Sequence, residues 1–350
     1  MLKRFTQRFT LGVCAVSQRV TIKDVAMEAG VSVGLVSRVL NGGSCALPAY
    51  EQIQGAVKRM NYVPDPYARA VRSRSKKCLG ILVSGLCRSN SFWLEDLLLN
   101  LVEAVSAASY RSILQFIDVA DPVPGCRKIS HLVDGLILVG HFDETFLNCL
   151  KNYCHVPAIT YWETLPYDKG LRLEVDVRNG ICQMVEHLYA RGHREVGVIG
   201  ADYRMNQEES EAFFQCFRQF VPDYSRERMV CGGDHHTFGQ AGYHRTLYLL
   251  ERFPQTSALF YLSDSLAFGG INALQSLRLC IPDDISVVSF DNSFWSAGYM
   301  PALTSLGFNY AVLASTLVRH LLERITGKSP EMGQPLQVSF FQRDSVRFYR

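Results

Sequence analysis

Residues 21–41 read TIKDVAMEAGVSVGLVSRVLN, and the interpretation of the whole chain starts from this stretch. Apolar residues recur at helical spacing, which predicts a first short helix with one apolar face: Ile22, Val25, Ala26 and Ala29. Thr21 followed by Asp24 predicts a capping box at its start. Gly30 suits the left-handed residue that ends such a helix.

A second short helix is predicted directly after this turn. Ser32 can cap it, and its inward positions would be Val36, Val39 and Leu40. Two helices across so short a turn are typical of a helix-turn-helix, although amphipathic helices of any bundle share the periodicity. In a helix-turn-helix, the outward residues of the second helix face base edges in the major groove, and Arg38 would read a guanine.

The same residues closely resemble the DNA-binding domain of the lactose/galactose repressor (LacI/GalR) family, whose N-termini carry T-I-x-D-V-A-x-x-A-G-V-S-x-x-T-V-S-R-V-L-N. Leu35 replaces the usual Thr. The resemblance continues almost to the C-terminus. It implies an α/β fold with a three-helix helix-turn-helix headpiece (20–64), a hinge helix and linker (65–77), and a two-lobed, periplasmic-binding-protein-like body with parallel sheets (78–342) that binds an effector and dimerises.

The stretch after the headpiece resembles the family's hinge helix, which pushes an apolar wedge into the minor groove. Tyr62, Pro64, Ala68 and Arg69 match its pattern, and the smaller Val71 replaces the wedge Leu. The resemblance therefore implies DNA contacts at Thr21, Ser32, Val33, Gly34, Ser37, Arg38, Asn41, Tyr62, Ala68, Arg69, Val71 and Arg72. The basic run that includes Lys76 is read as the end of the linker, where Lys76 would bind phosphate.

The charge distribution agrees with a basic DNA-binding segment attached to a mildly acidic body. Residues 1–77 hold 13 Lys/Arg and 4 Asp/Glu, a net charge of +9, whereas the remaining residues hold 23 and 29, a net charge of −6. A basic segment attracts phosphate. At 350 residues and 48% hydrophobic content, the chain can bury two or three cores.

From Leu79 onward, short apolar runs alternate with amphipathic stretches, which predicts parallel strands with crossover helices. Strands are expected at 79–85, 112–117, 135–140, 157–162, 195–200, 229–233, 258–263 and 286–291. Helices are expected near 94–109, 143–153, 177–191, 207–220, 240–252, 264–278 and 310–326, and a third headpiece helix at Glu51–Met60. This many units indicates two doubly wound lobes.

Several features limit the cellular setting. The eleven cysteines are scattered without a C-x-x-C pair, so neither a disulfide framework nor a zinc site is expected, and a reducing cytosol fits best. No apolar run reaches membrane-spanning length. Residues 1–19 are interpreted as a flexible extension or an over-long start assignment, because a DNA-binding motif follows directly.

Effector residues are expected beyond the carboxyl ends of the strands, where ligands of open α/β sheets bind. Planar rings and forking polar groups suit a sugar, and the resemblance also implies the aromatic pair after the first strand and the Asp that ends the V-V-S-F-D run. The candidates are Phe92, Trp93, Trp162, Glu209, His235, Asp264 and Asp291. Glu209 stands where the family carries an Arg, so we expect a neutral rather than an acidic effector.

No G-x-S-x-G, Walker or H-E-x-x-H motif occurs, so an enzyme is not expected, nor is a cofactor or a metal. We interpret the chain as a cytoplasmic, homodimeric repressor whose affinity for double-stranded operator DNA is controlled by a small sugar-like effector. The alternatives are a periplasmic-type sugar-binding protein without a DNA role and a sugar-modifying enzyme.

Overall fold

The computed structural model describes residues 20–40, 42–62, 75–84, 92–118, 121, 123–142, 144–161, 165, 168–200, 207–231, 237–331 and 333–349, without the side chains of 207–210 and 212. The chain forms two compact units, Met1–Arg74 (the N-terminal unit) and Ser75–Arg350 (the body). None of the described helices combines the length and the apolar character that a membrane crossing requires.

The N-terminal unit contains three short helices, α1 (Ile22–Glu28), α2 (Val33–Leu40) and α3 (Leu47–Arg59). They enclose a small core of buried side chains: Val25, Ala26, Ala29, Val36, Val39, Ile53 and Ala56. The predicted start of the third helix at Glu51 is wrong, because Pro48 fits the first turn and lets the helix begin four residues earlier. The three helices confirm the predicted headpiece architecture.

Lobe 1 of the body is a five-stranded parallel sheet in the order β2-β1-β3-β4-β5. Its strands are β1 (Cys78–Ser84), β2 (Arg111–Ile117), β3 (Gly135–Val139), β4 (Ala158–Thr160) and β5 (Gly170–Arg172), and its helices are α4 (Phe92–Ala107), α5 (Val123–Ser130) and α6 (Glu144–Tyr153). All residues of β1 are buried, as expected for a central parallel strand covered by helices on both faces.

Lobe 2 contains a six-stranded sheet in the order β13-β11-β10-β9-β7-β8. Its strands are β7 (Val196–Ile199), β8 (Met229–Val230), β9 (Ala258–Tyr261), β10 (Ser286–Phe290), β11 (Thr304–Gly307) and β13 (Ser339–Phe341). Its helices are α7 (Val177–Ala190), α8 (Gln207–Phe220), α9 (Phe238–Arg252), α10 (Asp264–Ser276) and α11 (Phe294–Gly298). Only β13 runs antiparallel among these described strands, so the predicted parallel architecture is confirmed.

Within the described residues, the chain crosses between the lobes three times. Two of the crossings carry β6 (Val175–Asp176) and β12 (Leu336–Gln337), which pair with each other. The remaining crossing leads from β11 into α12 (Tyr310–Ile325), whose side chains pack in the lobe 1 core. The two lobes are therefore joined by short strands rather than by one flexible linker.

Several short elements differ from the prediction. Helices α5 and α11 and strands β5, β6, β11, β12 and β13 were not predicted, because they are short and depend on partners far away in the sequence. A disulfide joins Cys182 on α7 to Cys216 on α8, a pairing that the scattered cysteines did not indicate. Their Cα atoms lie 5.3 Å apart only because α7 and α8 pack side by side.

Candidate nucleic-acid interface and effector cleft

The two helices of the predicted recognition motif begin with the expected caps. The Asp24 N–H donates to Thr21 Oγ1 at 3.4 Å, and the Thr21 N–H donates to Asp24 Oδ2 at 2.7 Å. The Leu35 N–H donates to Ser32 Oγ at 3.2 Å. Gly30 takes φ +65° between the helices. These local bonds fix the turn that orients α2.

One face of α2 is directed away from the core of the N-terminal unit. Gly34 and Arg38 are exposed, whereas Val33 and Ser37 are half-buried. Val33 also packs partly against the core, so its side chain is less outward than expected. The exposed guanidinium of Arg38 is therefore the principal group on this face that could pair with a base.

Gly43 supports Arg38 and was not singled out from the sequence. Its N–H donates to the Arg38 carbonyl at 2.9 Å. A Cβ at position 43 would lie 2.5 Å from Arg38 Cγ and 3.0 Å from the Arg38 carbonyl oxygen. The stem of Arg38 therefore occupies space that only a glycine leaves open. From the sequence alone, the paired glycines at 42 and 43 indicate only a loop.

The structure describes some of the remaining predicted DNA contacts and leaves others outside the described residues. Tyr62 is half-buried and packs against the core of the N-terminal unit. Asn41, Ala68, Arg69, Val71 and Arg72 lie outside the described residues. The phosphate-binding role expected for Lys76 is wrong, because its Nζ is part-buried and donates to the carbonyls of Val133 (2.8 Å) and Ser130 (3.2 Å).

In the body, the aromatic pair after β1 is divided between two environments. Trp93 is only 2% exposed and packs in the lobe 1 core. The expectation that Trp93 lines the cleft is therefore wrong. Phe92 is half-buried and meets two rings of lobe 2, Phe268 at 5.5 Å and Trp295 at 6.0 Å between centroids. Phe92 therefore lies where the lobes touch, whereas helical periodicity directs Trp93 inward.

Asp264 was expected to contact the effector, but its side chain is buried and bonds to a neighbouring loop. Its Oδ2 accepts from the backbone N–H and the hydroxyl of Ser293, both at 2.7 Å, and the residue has no exposed surface. Burial raises the pKa of this carboxyl above its usual range, while hydrogen bonds from Ser289, Ser293 and Ser296 act in the opposite direction. Asp264 holds the loop that follows β10.

Asp291 is placed at the carboxyl end of β10, next to that loop. Its Oδ2 accepts from the Asp264 N–H at 3.2 Å, at the start of α10, and its carbonyl accepts from the Tyr310 hydroxyl at 2.9 Å. It is 4% exposed and takes φ +111°. The side chain thus has a capping role, and its position at the strand end is compatible with ligand contact.

Ser84, which the sequence did not single out, and Tyr161 lie at the ends of two strands of lobe 1. The Ser84 hydroxyl, at the end of β1, is buried without a hydrogen-bond partner among the described residues. Tyr161 follows β4 and contacts the Phe308 ring, with centroids 5.8 Å apart. Trp162 and His235 lie outside the described residues, and Glu209 is described only as a backbone position in α8.

Comparisons with known proteins agree with this architecture. Residues 21–65 match the bacterial regulatory proteins of the lacI family, and residues 185–346 match the periplasmic binding protein-like domain. The transcriptional regulator CelR of Thermobifida fusca is 27% identical over 329 residues, covering 90% of this chain and 94% of that protein. The repressor PurR of Haemophilus influenzae is 26% identical over 331 residues, with the same coverages.

Solved structures share the fold over nearly the whole chain. The lac repressor dimer bound to operator and the anti-inducer ONPF superposes with a TM-score of 0.78 at 23% identity, covering 94% of this chain and 100% of that chain. The CelR–cellobiose complex gives a TM-score of 0.64 at 23% identity, covering 93% and 100%. The matched segments and the relatives agree: the chain carries the DNA-binding domain of the lacI family of bacterial regulatory proteins, joined to a periplasmic binding protein-like body.

Proposed function

We propose that this protein is a cytoplasmic, homodimeric repressor that binds double-stranded operator DNA through α2. The observation that carries this proposal is the exposed Arg38 on the outward face of a capped helix. Arginine pairs with guanine through two parallel hydrogen bonds in the major groove. The lac repressor was solved as a dimer on its operator, and a two-fold dimer of this chain would place two α2 helices in successive grooves.

In vitro selection from a random duplex pool tests this function, with Arg38→Ala as the variant and Arg59→Ala as the matched control. Arg59 is also exposed but pairs with Glu28 on α1. Arg38→Ala should cost about 1–3 kcal/mol on the selected operator and relax the preference at one base pair in each half-site. Arg59→Ala should return the wild-type consensus. An unchanged consensus for Arg38→Ala would show that this residue does not read a base.

The salt dependence of binding provides an independent test of the phosphate contacts. The logarithm of the binding constant should fall with the logarithm of salt concentration, with a slope near −0.9 for each phosphate neutralised. Recovery of no preferred duplex together with salt-independent binding would instead favour a sugar-binding protein without a DNA role.

The effector is proposed to be a small neutral sugar held between the lobes, in contact with Phe92, Asp291, Trp162, Glu209 and His235. CelR was solved with cellobiose and a relative from Enterococcus faecium with ribose. Rings at the strand ends suit the apolar faces of sugars. An anionic Glu209 at the cleft would repel carboxylates and phosphates. Binding would change the angle between the lobes and so the operator affinity.

A thermal-shift screen against neutral sugars, sugar acids and sugar phosphates tests the effector class. A ligand at a concentration of 100 Kd stabilises the folded state by about 2.7 kcal/mol, which is readily measured. Neutral sugars should shift the transition of the wild-type protein, and Glu209→Arg should gain a response to acidic sugars. A wild-type response to sugar phosphates alone would show that Glu209 does not face the ligand.

A further inference from the structure

Three residues at the start of the body, Ser75–Lys77, form a tightly held segment that we call the strap. The Asp134 carboxylate binds every residue of it: Oδ1 accepts from the Lys76 N–H, and Oδ2 accepts from the Lys77 N–H and the Ser75 hydroxyl, each at 2.8 Å. Two backbone donors and one hydroxyl thus converge on one side chain. Charge-assisted bonds of this kind are stronger than neutral ones.

Further bonds hold the strap from both sides. The Lys76 ammonium donates to the carbonyls of Val133 and Ser130, at the end of α5. The Arg111 N–H donates to the Lys77 carbonyl at 2.9 Å, from the start of β2. Lys77 takes φ +50°, a left-handed conformation that costs a residue other than glycine energy and persists only where surrounding contacts enforce it. The strap is therefore held in one conformation by lobe 1.

The strap is continuous with the two central strands of lobe 1. Lys77 precedes β1, and Asp134 precedes β3. These strands pair in parallel from Leu79 with Gly135 to Val83 with Val139, and the Asp134 N–H donates to the Cys78 carbonyl at 2.8 Å. Their far ends reach the strand edge where the effector is proposed to bind. Because paired strands are stiff, a movement of lobe 1 moves the strap with it.

We propose that Asp134 is the positioning residue through which lobe 1 holds the chain that leads to the DNA-binding unit. This proposal rests on the proposed function as a repressor. Without the carboxylate, the strap would sample more conformations, and operator binding would have to restrict it again. Asp134 touches neither DNA nor effector in this role. It fixes the point from which the linker starts.

The test compares Asp134→Asn with Asp121→Asn, which removes the same charge from an exposed position of lobe 1. Asparagine keeps the shape of the side chain but sets an NH2 donor where a carboxylate oxygen accepted. Ser75→Ala is the milder variant, because it removes a single bond to Asp134. The full-length proteins are assayed on a palindromic duplex selected with the wild type, on a scrambled duplex, in timed trypsin digestion, and by thermal unfolding.

Asp134→Asn should lower affinity for the selected duplex by about tenfold, within the range of usual coupling effects. Affinity for the scrambled duplex should be unchanged, cleavage after Lys76 and Lys77 should be faster, and the thermal transition of the body should be close to that of the wild type. Ser75→Ala should show smaller changes in the same direction, and Asp121→Asn none.

Equal specific affinity and equal cleavage rates for Asp134→Asn and the wild type would overturn the proposal. So would parallel losses of specific affinity, non-specific affinity and thermal stability, because these would indicate a purely structural role. A wild-type protein that selects no duplex would refute the proposed function instead, while the comparison of cleavage rates would still report whether Asp134 holds the strap.

Discussion

The N-terminal unit and the loop after β10 satisfy their polar groups in opposite ways. In the N-terminal unit, the capping bonds join residues three apart in sequence and lie at the surface. After β10, the Asp264 carboxylate binds Ser293 across 29 residues, and the Arg343 guanidinium binds Asn292 across 51. The first kind of bond is replaceable by water, whereas the second kind is partly or wholly buried and depends on the complete lobe.

This difference shows where each unit is tolerant to change. A capped surface helix loses about 1 kcal/mol when its cap is removed, because water solvates the freed groups. A buried donor that loses its acceptor keeps its desolvation cost in full. The loop at the cleft should therefore be stiff but intolerant of substitution, and the recognition helix should accept changes that leave its core intact.

The strongest test of this contrast is Asp264→Ala, which should destabilise lobe 2 by about 2–4 kcal/mol, because it leaves the N–H and hydroxyl of Ser293 without acceptors in a buried site. Asp264→Asn keeps an acceptor and should cost less. Because the pKa of Asp264 is raised, its ionisation disfavours folding as pH rises, so the wild type should gain stability relative to Asp264→Asn as pH falls. Urea unfolding measures both effects. If Asp264→Ala loses almost no stability, the buried bonds of this loop are as replaceable as the surface caps of the N-terminal unit, and the contrast is wrong.

A second test uses His187, which is buried on α7 against the Phe340 ring. Burial, with smaller contributions from Arg191 and His193, lowers its pKa to about 4. The folded state then accommodates the neutral imidazole better than the charged one. The stabilisation that this shift gives to the folded state is present above pH 6.5 and is lost as pH falls toward 4. The loss should be roughly 2–3 kcal/mol, at 1.36 kcal/mol per pKa unit.

Unfolding measured across this pH range should show that dependence in the wild type and in His155→Gln, an exposed control, but a weaker one in His187→Gln. If His187→Gln follows the same curve as the wild type, the acid sensitivity originates elsewhere in the body.

The smallest expected effect concerns two glycines of the N-terminal unit. A Cβ at Gly34 meets only the Ser32 hydroxyl at 3.9 Å, whereas one at Gly43 would collide with the Arg38 stem. Gly34→Ala should stabilise the unit by about 0.5–1 kcal/mol through helix propensity. Gly43→Ala should destabilise it. Thermal unfolding of the full chain resolves the two, and a gain for Gly43→Ala would contradict the packing described around Arg38.

The sequence was sufficient where the interactions are local. The caps at Thr21 and Ser32, the left-handed Gly30 and the buried run of β1 were all predictable from neighbouring residues, and the parallel architecture followed from the alternation of strands and helices. The outward face of α2 followed from helical spacing, although Val33 shows that a residue at the edge of that face can still pack inward.

Long-range packing explains what was missed. Lys76 reads as one more cation in a basic run, and only the fold brings the end of α5 to it. Asp264 reads as an exposed acid at a strand end, and only the loop at Ser293 buries it. Strand β11 has an unremarkable sequence, TSLG, and is defined by pairing with β10 and β13. The strap also needs Asp134, almost sixty residues away.

The packing of Ser345 and Tyr349 against earlier parts of lobe 2 bears on the order of events during synthesis. Ser345 is fully buried in lobe 2 and bonds to Val287 and Thr304, and the Tyr349 N–H donates to Arg191. Lobe 2 therefore lacks part of its interior until these residues have been synthesised. At 5–20 residues per second, the roughly 290 residues from Tyr62 to Tyr349 take about 15–60 s to synthesise. A nascent chain can thus carry a finished DNA-binding unit before its regulatory body exists.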